Sequence, residues 1–123
     1  MTKKIILSPD APAPIGPYSQ AVEVNNTLYV SGQIALAVFE AGGTIEEETN
    51  QVMLNLLHIL TAAGYSFDQV VKCSIFVKDM NHFAAINEVY GRYFVSNPPA
   101  RETVEVARLP KDVRVEISCI AYK

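Results

Sequence analysis

Charge is scarce in this 123-residue chain: 19% of its residues are Asp, Glu, Lys or Arg against 50% that are apolar, and 13 acidic side chains outnumber 10 basic ones. A formal charge of −3 gives no broad electrostatic grip on a nucleic acid or an anionic membrane, although it leaves room for a local basic site. Long hydrophobic runs are missing as well. No stretch approaches a membrane span, and the opening Met1-Thr2-Lys3-Lys4-Ile5-Ile6-Leu7 breaks at Ser8-Pro9-Asp10 before a secretion signal can form, so a cytoplasmic protein is expected. Cysteine is limited to Cys73 and Cys119, both in strand-like segments, where buried, inert thiols are expected rather than a disulfide or a nucleophile. Neither histidine has a second histidine or a cysteine at ligand spacing, which argues against a zinc site. Repeats, low-complexity segments and linkers are also absent, so residues 1–123 are expected to form a single domain with a core of ordinary size.

What is present is a succession of periodic segments. Lys3 to Leu7 reads as a short edge strand, followed by the proline-rich Pro9-Asp10-Ala11-Pro12-Ala13-Pro14-Ile15-Gly16-Pro17-Tyr18, which can be neither helix nor central strand. Ser19 to Val24 and Thr27 to Gln33 alternate around Asn25-Asn26, a strong hairpin signal. Ala35 to Gly43 is expected to be a loop despite Val38 and Phe39. From Ile45 the period becomes helical: Glu46, Glu47 and Glu48 suit the positive end of a helix, Val52, Leu56, Ile59, Leu60 and Ala63 repeat at helical spacing, and Gly64 ends the run. Val70 to Lys78 is a long alternating strand. Asn81 to Val95 is a second amphipathic helix with Phe83, Ile86, Tyr90 and Phe94 inward, ended by Asn97-Pro98-Pro99.

In the C-terminal quarter, Arg101 to Ala107 alternates, Leu109-Pro110-Lys111-Asp112 turns the chain, and Val113 to Ala121 alternates again. An antiparallel hairpin is expected, with its polar rows on one face. Arg101 and Glu116 would then lie side by side, fit to hold a small carboxylate next to a water. The two helices cannot cover both faces of such a sheet, so they are expected to share one face and leave the other to further subunits.

The runs Ile15-Gly16-Pro17-Tyr18-Ser19-Gln20-Ala21, Val30-Ser31-Gly32-Gln33-Ile34, Asn87-Glu88-Val89-Tyr90, Pro99-Ala100-Arg101 and Val104-Glu105-Val106-Ala107-Arg108-Leu109-Pro110-Lys111-Asp112 together resemble the RidA/YjgF family of reactive-intermediate deaminases. The resemblance covers nearly the whole chain. It implies a chorismate-mutase-like α+β fold: a six-stranded, mostly antiparallel sheet with two helices on one face, assembled as a homotrimeric barrel with sites in clefts between subunits. It further implies hydrolysis of enamines and imines, such as 2-aminoacrylate released by pyridoxal-phosphate-dependent dehydratases, to a 2-keto acid and ammonia. No metal or organic cofactor is implied.

By the same resemblance Arg101 binds the substrate carboxylate, for which a planar two-pronged donor suits better than lysine, and Glu116 positions the attacking water. Tyr18 closes over the substrate, Ser31 and Gly32 contact it, Asn87 reaches the site from a helix, and Thr103 supplies a backbone N–H. The chain departs from the commoner pattern in places. Glu102 and Thr103 replace a serine and a cysteine, so no thiol chemistry is available there; Ala35 and Val38-Phe39 replace a turn-rich segment, and Ser118 stands where a second acid is common. Two other functions compete: a metabolite-sensing regulatory protein that uses the same cleft, and an RNA-cleaving translation inhibitor, which the acidic balance disfavours.

Overall fold

The computed structural model describes residues 2–123. Its strands β1 (Lys4–Ile6), β2 (Ala21–Val24), β3 (Thr27–Gln33), β4 (Val70–Val77), β5 (Ala100–Glu105) and β6 (Val115–Tyr122) form one sheet in the order β1-β2-β3-β6-β4-β5. Every neighbouring pair is antiparallel except β4–β5. Three helices accompany them: α1 (Leu36–Glu40), α2 (Ile45–Ala62) and α3 (Phe83–Gly91). The α+β class and the mostly antiparallel sheet agree with the sequence.

Local chemistry explains most boundaries. Asn25 and Asn26 take φ of 49° and 63°, the left-handed pair that a two-residue hairpin needs to match strand twist. Thr44 caps α2 reciprocally: its hydroxyl accepts from Glu47 N–H at 3.1 Å, and the Glu47 carboxylate accepts from Thr44 N–H at 2.8 Å. The stripe Val52, Leu56, Ile59 and Leu60 is fully buried against the sheet, each side chain contributing roughly 1.5–3 kcal/mol. Gly64, at φ 79°, stops the run. In α3 it is Ile86, Val89 and Tyr90 that are buried, while Phe83 lies at the surface and Phe94 falls beyond the helix end. The segment 35–43 is not a loop throughout. Residues 36–40 make the little more than one turn of α1, with Val38 packed on the core, and the chain then reverses through Gly42 at φ 80°.

The C-terminal hairpin does not form. β4 lies between β5 and β6, parallel to the first and antiparallel to the second. The cause is the connection before β5: β4, α3 and β5 make a strand–helix–strand crossover, which returns the chain parallel to its start. β6 then takes the other side of β4 through the turn Pro110–Asp112, where Lys111 and Asp112 sit at φ 58° and 63°.

This register separates the two residues expected to meet. Cys73 is opposite both Cys119 and Arg101, and that row faces the helices together with Ile75, Ile117 and Val115. Phe76 is opposite both Glu116 and Val104, and that row faces away. Arg101 and Glu116 therefore occupy opposite faces of the sheet. The polar row of β5 looks toward α3, while Val104 on the other face stays 42% exposed and Tyr29, on β3, 51% exposed. That face has no helix over it. No helix among the described residues is long and apolar enough to cross a membrane.

Candidate functional site

Gly32 and Glu116 build the first half of the site. Between Val30 and Gln33 the β3–β6 ladder shifts register, because three steps on β3 face two on β6, and the resulting bulge brings the Ser31-Gly32 backbone onto Glu116. A Cβ at position 32 would overlap Glu116 Oε2 and lie 2.8 Å from its Cδ, so only glycine lets the carboxylate fold back over the strand. A cavity of about 470 Å³ opens here, lined by Ile15, Tyr18, Ser31, Gly32, Ile34, Pro110 and Glu116. Burial pushes the Glu116 carboxyl above the usual glutamate range, as suits a base that takes a proton from water near neutral pH. Gly32→Ala is expected to expel Glu116 from this position and so return its carboxyl toward the usual glutamate range; NMR titration of the folded variant checks it.

The wall of the cavity is held by the proline-rich segment. Gln20 is buried and accepts from Ser8 N–H at 2.6 Å, while its amide donates to the Pro12 carbonyl at 2.9 Å. Ser31 ties the same segment to β3, its N–H donating to the Gln20 carbonyl and its hydroxyl to the Ser19 carbonyl at 2.6 Å. The Ser31 hydroxyl proton is thus already engaged. Tyr18 folds its ring over Gly16 and lines the cavity, its phenol oxygen accepting from Ile15 N–H at 3.4 Å.

Arg101, Thr103 and Asn87 are not in that cavity. Arg101 extends from β5 toward α3, its guanidinium carbon 5.0 Å from the Tyr90 ring centre and 5.7 Å from that of Phe83. Among the described residues it makes no hydrogen bond and no ion pair. The acids that could neutralise it are used elsewhere: Glu102 meets Lys72 at 3.2 Å and the Ser74 hydroxyl, and Glu105 accepts from Met80 N–H at 2.8 Å. Asn87 follows Phe83 and precedes Tyr90 at helical spacing, which places it on the same side of α3. Val106 N–H donates to the Val77 carbonyl, and this sets the phase of the β4–β5 ladder. The N–H groups of Arg101, Thr103 and Glu105 consequently point to the free edge of the sheet. The Thr103 hydroxyl is buried without a partner. The Arg101 guanidinium, the outward N–H groups and the Thr103 hydroxyl thus lie along this one strand, donors of the kind that a carboxylate accepts from.

The cysteines match expectation. Both are free and buried, and burial pushes both thiols up, Cys73 less so because Tyr90 and Arg101 favour its thiolate. No cluster of three or more His, Cys, Asp or Glu among the described residues suits a metal. Sequence reasoning missed Gln20, Ile34, Pro110 and the aromatic pair under Arg101. The first three lie inside the motif runs already noted, and the pair follows from helical spacing only once β5 is known to face α3.

The chain is similar to known proteins over nearly its whole length. The family described as Endoribonuclease L-PSP matches residues 8–123. A RutC family protein of Pyrococcus horikoshii is 50% identical over 124 residues, covering 98% of each chain. A mouse protein named 2-iminobutanoate/2-iminopropanoate deaminase is 47% identical over 125 residues, covering 98% of this chain and 92% of its own. Among solved structures, TdcF of E. coli with bound serine superposes with a TM-score of 0.91 at 39% identity, covering 98% of both chains.

Proposed function

Because the chain belongs to the Endoribonuclease L-PSP family, which includes the RidA/YjgF proteins, we propose that it hydrolyses small 2-imino acids to 2-keto acids and ammonia in clefts built between copies of itself. The observation that carries this reading is the separation of Arg101 from Glu116. One chain offers a cavity with a base but no cation, and on its other face an unspent guanidinium beside free backbone donors. A neighbouring copy that lays its β5 edge against the Glu116 cavity would complete both. A homotrimer closed through the open sheet faces would also bury Tyr29 and Val104. Relatives named as 2-imino acid deaminases, and a related structure with bound serine, fit a ligand of this size with a carboxylate.

The chemistry needs little machinery. With Arg101 and the Thr103 N–H on the carboxylate, a protonated imine presents an electrophilic carbon to the cavity. Glu116 takes a proton from water as its oxygen adds to that carbon, and passes a proton to nitrogen in the carbinolamine. Breakage of the C–N bond releases ammonia with the bonding pair as Glu116 relays the hydroxyl proton to it, giving the keto acid and ammonium, so iminium plus water balances the products. Positioning supplies most of the acceleration.

Arg101→Ala is expected to lower kcat/KM on the order of 10²-fold, the worth of a charged hydrogen-bonded pair, when ammonia release is followed with imine generated by a dehydratase. Unchanged hydrolysis in this variant would sink the assignment. Sedimentation of the wild type checks the trimer. A wild type that binds the imino acid's keto product yet releases no ammonia would instead favour the metabolite-sensing function, and RNA cleavage that survives Arg101→Ala would favour the ribonuclease one.

A further inference from the structure

We propose that Tyr90 is a positioning residue for Arg101: its ring face presets the guanidinium so that all its N–H groups remain available to a carboxylate. The inference rests on the carboxylate-binding role given to Arg101 above. A long arginine side chain at a strand edge, with no acid to bind, would ordinarily sample many rotamers, and a ligand would have to order it. Here the guanidinium carbon lies 5.0 Å from the Tyr90 ring centre, within reach of a cation–π contact, and 5.7 Å from that of Phe83. An aromatic face attracts the cation without using any of its hydrogen-bond donors. An acid in the same place would hold it equally well and occupy the fork.

The ring itself is packed in place. Tyr90 is 5% exposed, packs on Phe94 with ring centres 4.8 Å apart, and through Phe94 meets Phe67 at 5.2 Å. Its hydroxyl does not explain its presence: it is buried beside the Cys73 thiol and finds no hydrogen-bond partner of ordinary geometry. Phe83 adds a second, more exposed ring from the start of the same helix. Asn87, between them in helical order, is left free to contact the ligand.

The role separates from simple core packing by ligand charge. Binding of 2-oxobutanoate and of its uncharged amide, 2-oxobutanamide, is measured by calorimetry on wild type, Arg101→Ala, Tyr90→Phe and Tyr90→Leu, with KM and kcat for imine hydrolysis alongside. Tyr90→Phe keeps the face and is expected within about twofold of wild type, whereas Tyr90→Leu is expected to weaken 2-oxobutanoate about tenfold, raise KM similarly and spare kcat. The amide should bind wild type and Tyr90→Leu alike. If Tyr90→Leu does not fold, Phe83→Leu, at a surface position, should show the same charge-selective loss in smaller degree. Full 2-oxobutanoate binding by Tyr90→Leu, or by Phe83→Leu in its place, while Arg101→Ala loses it would overturn the positioning role alone. Equal weakening of acid and amide would overturn it too. Retained 2-oxobutanoate binding in Arg101→Ala would overturn the carboxylate reading and this role with it.

Discussion

Glu116→Gln is expected to lower kcat for imine hydrolysis by about 10²–10⁴-fold, the usual worth of a positioned general base, while leaving the protein at least as stable at neutral pH. Glutamine keeps the shape that fits over Gly32 but cannot take a proton from water. The stability half follows from linkage. Burial raises the carboxyl pKa in the folded state, so the native protein binds this proton more tightly than the unfolded chain. Stability from this group is full below the unfolded pKa and is lost as pH rises through the folded one. Where the group is ionised, the wild type therefore holds a carboxylate against the preference of its surroundings, and glutamine removes that cost. The wild-type rate should also fall on the acid side at a higher pH than an exposed glutamate would dictate, a limb that residual activity of the variant should lack. Thermal denaturation across about pH 4 to pH 8 and pH–rate profiles check both halves. Wild-type kcat in the variant, or a melting temperature that drops further as pH rises, would contradict the assignment.

The two halves of the site were not equally legible in the sequence. Periodicity located α2, α3 and every strand, because Val52, Leu56, Ile59 and Leu60, and the alternating residues of β4 and β6, bury one face each and leave a local trace. Asn25-Asn26 and Gly64 marked turns that only a few residue types make. Partner choice among strands leaves no such trace. Arg101 to Ala107, a turn and Val113 to Ala121 satisfy a hairpin pattern as well as the β5–β4–β6 arrangement does, and only the crossover through α3 decides between them. Placing Arg101 and Glu116 on one face followed from that pairing. Motif resemblance proposed the members of the site without that pairing, since it records which residues occur together and not which face holds them. The bulge at Ser31-Gly32 was invisible for another reason: it exists only in the pairing with β6, and the side chain it meets, Glu116, lies 84 positions beyond Gly32.

The largest stability effect is expected at Arg114, which no sequence motif singled out. Glu48, in the first turn of α2, is completely buried, with one oxygen accepting from Arg114 N–H at 2.8 Å and the other from Arg114 Nε at 2.7 Å. The same guanidinium donates to the Gly43 carbonyl at 2.5 Å and stacks over Phe39, 5.5 Å from its centre. One side chain thus pins α1, the start of α2 and the beginning of β6, two residues before Glu116. Arg114→Met keeps the apolar stem but leaves a buried carboxylate with a single backbone donor. The cost is expected at ~3 kcal/mol, the low end for breaking a buried ion pair because that donor and the N-terminal helix dipole remain. For a chain of this size the melting temperature should fall on the order of 10 °C. Glu48→Gln combined with Arg114→Met removes the stranded charge while an amide oxygen still accepts from residue 114, so the double variant should recover most of the loss. Denaturant titration of both variants decides the matter. If Arg114→Met unfolds at the wild-type midpoint, or the double variant is less stable than the single one, the penalty does not come from an uncompensated Glu48.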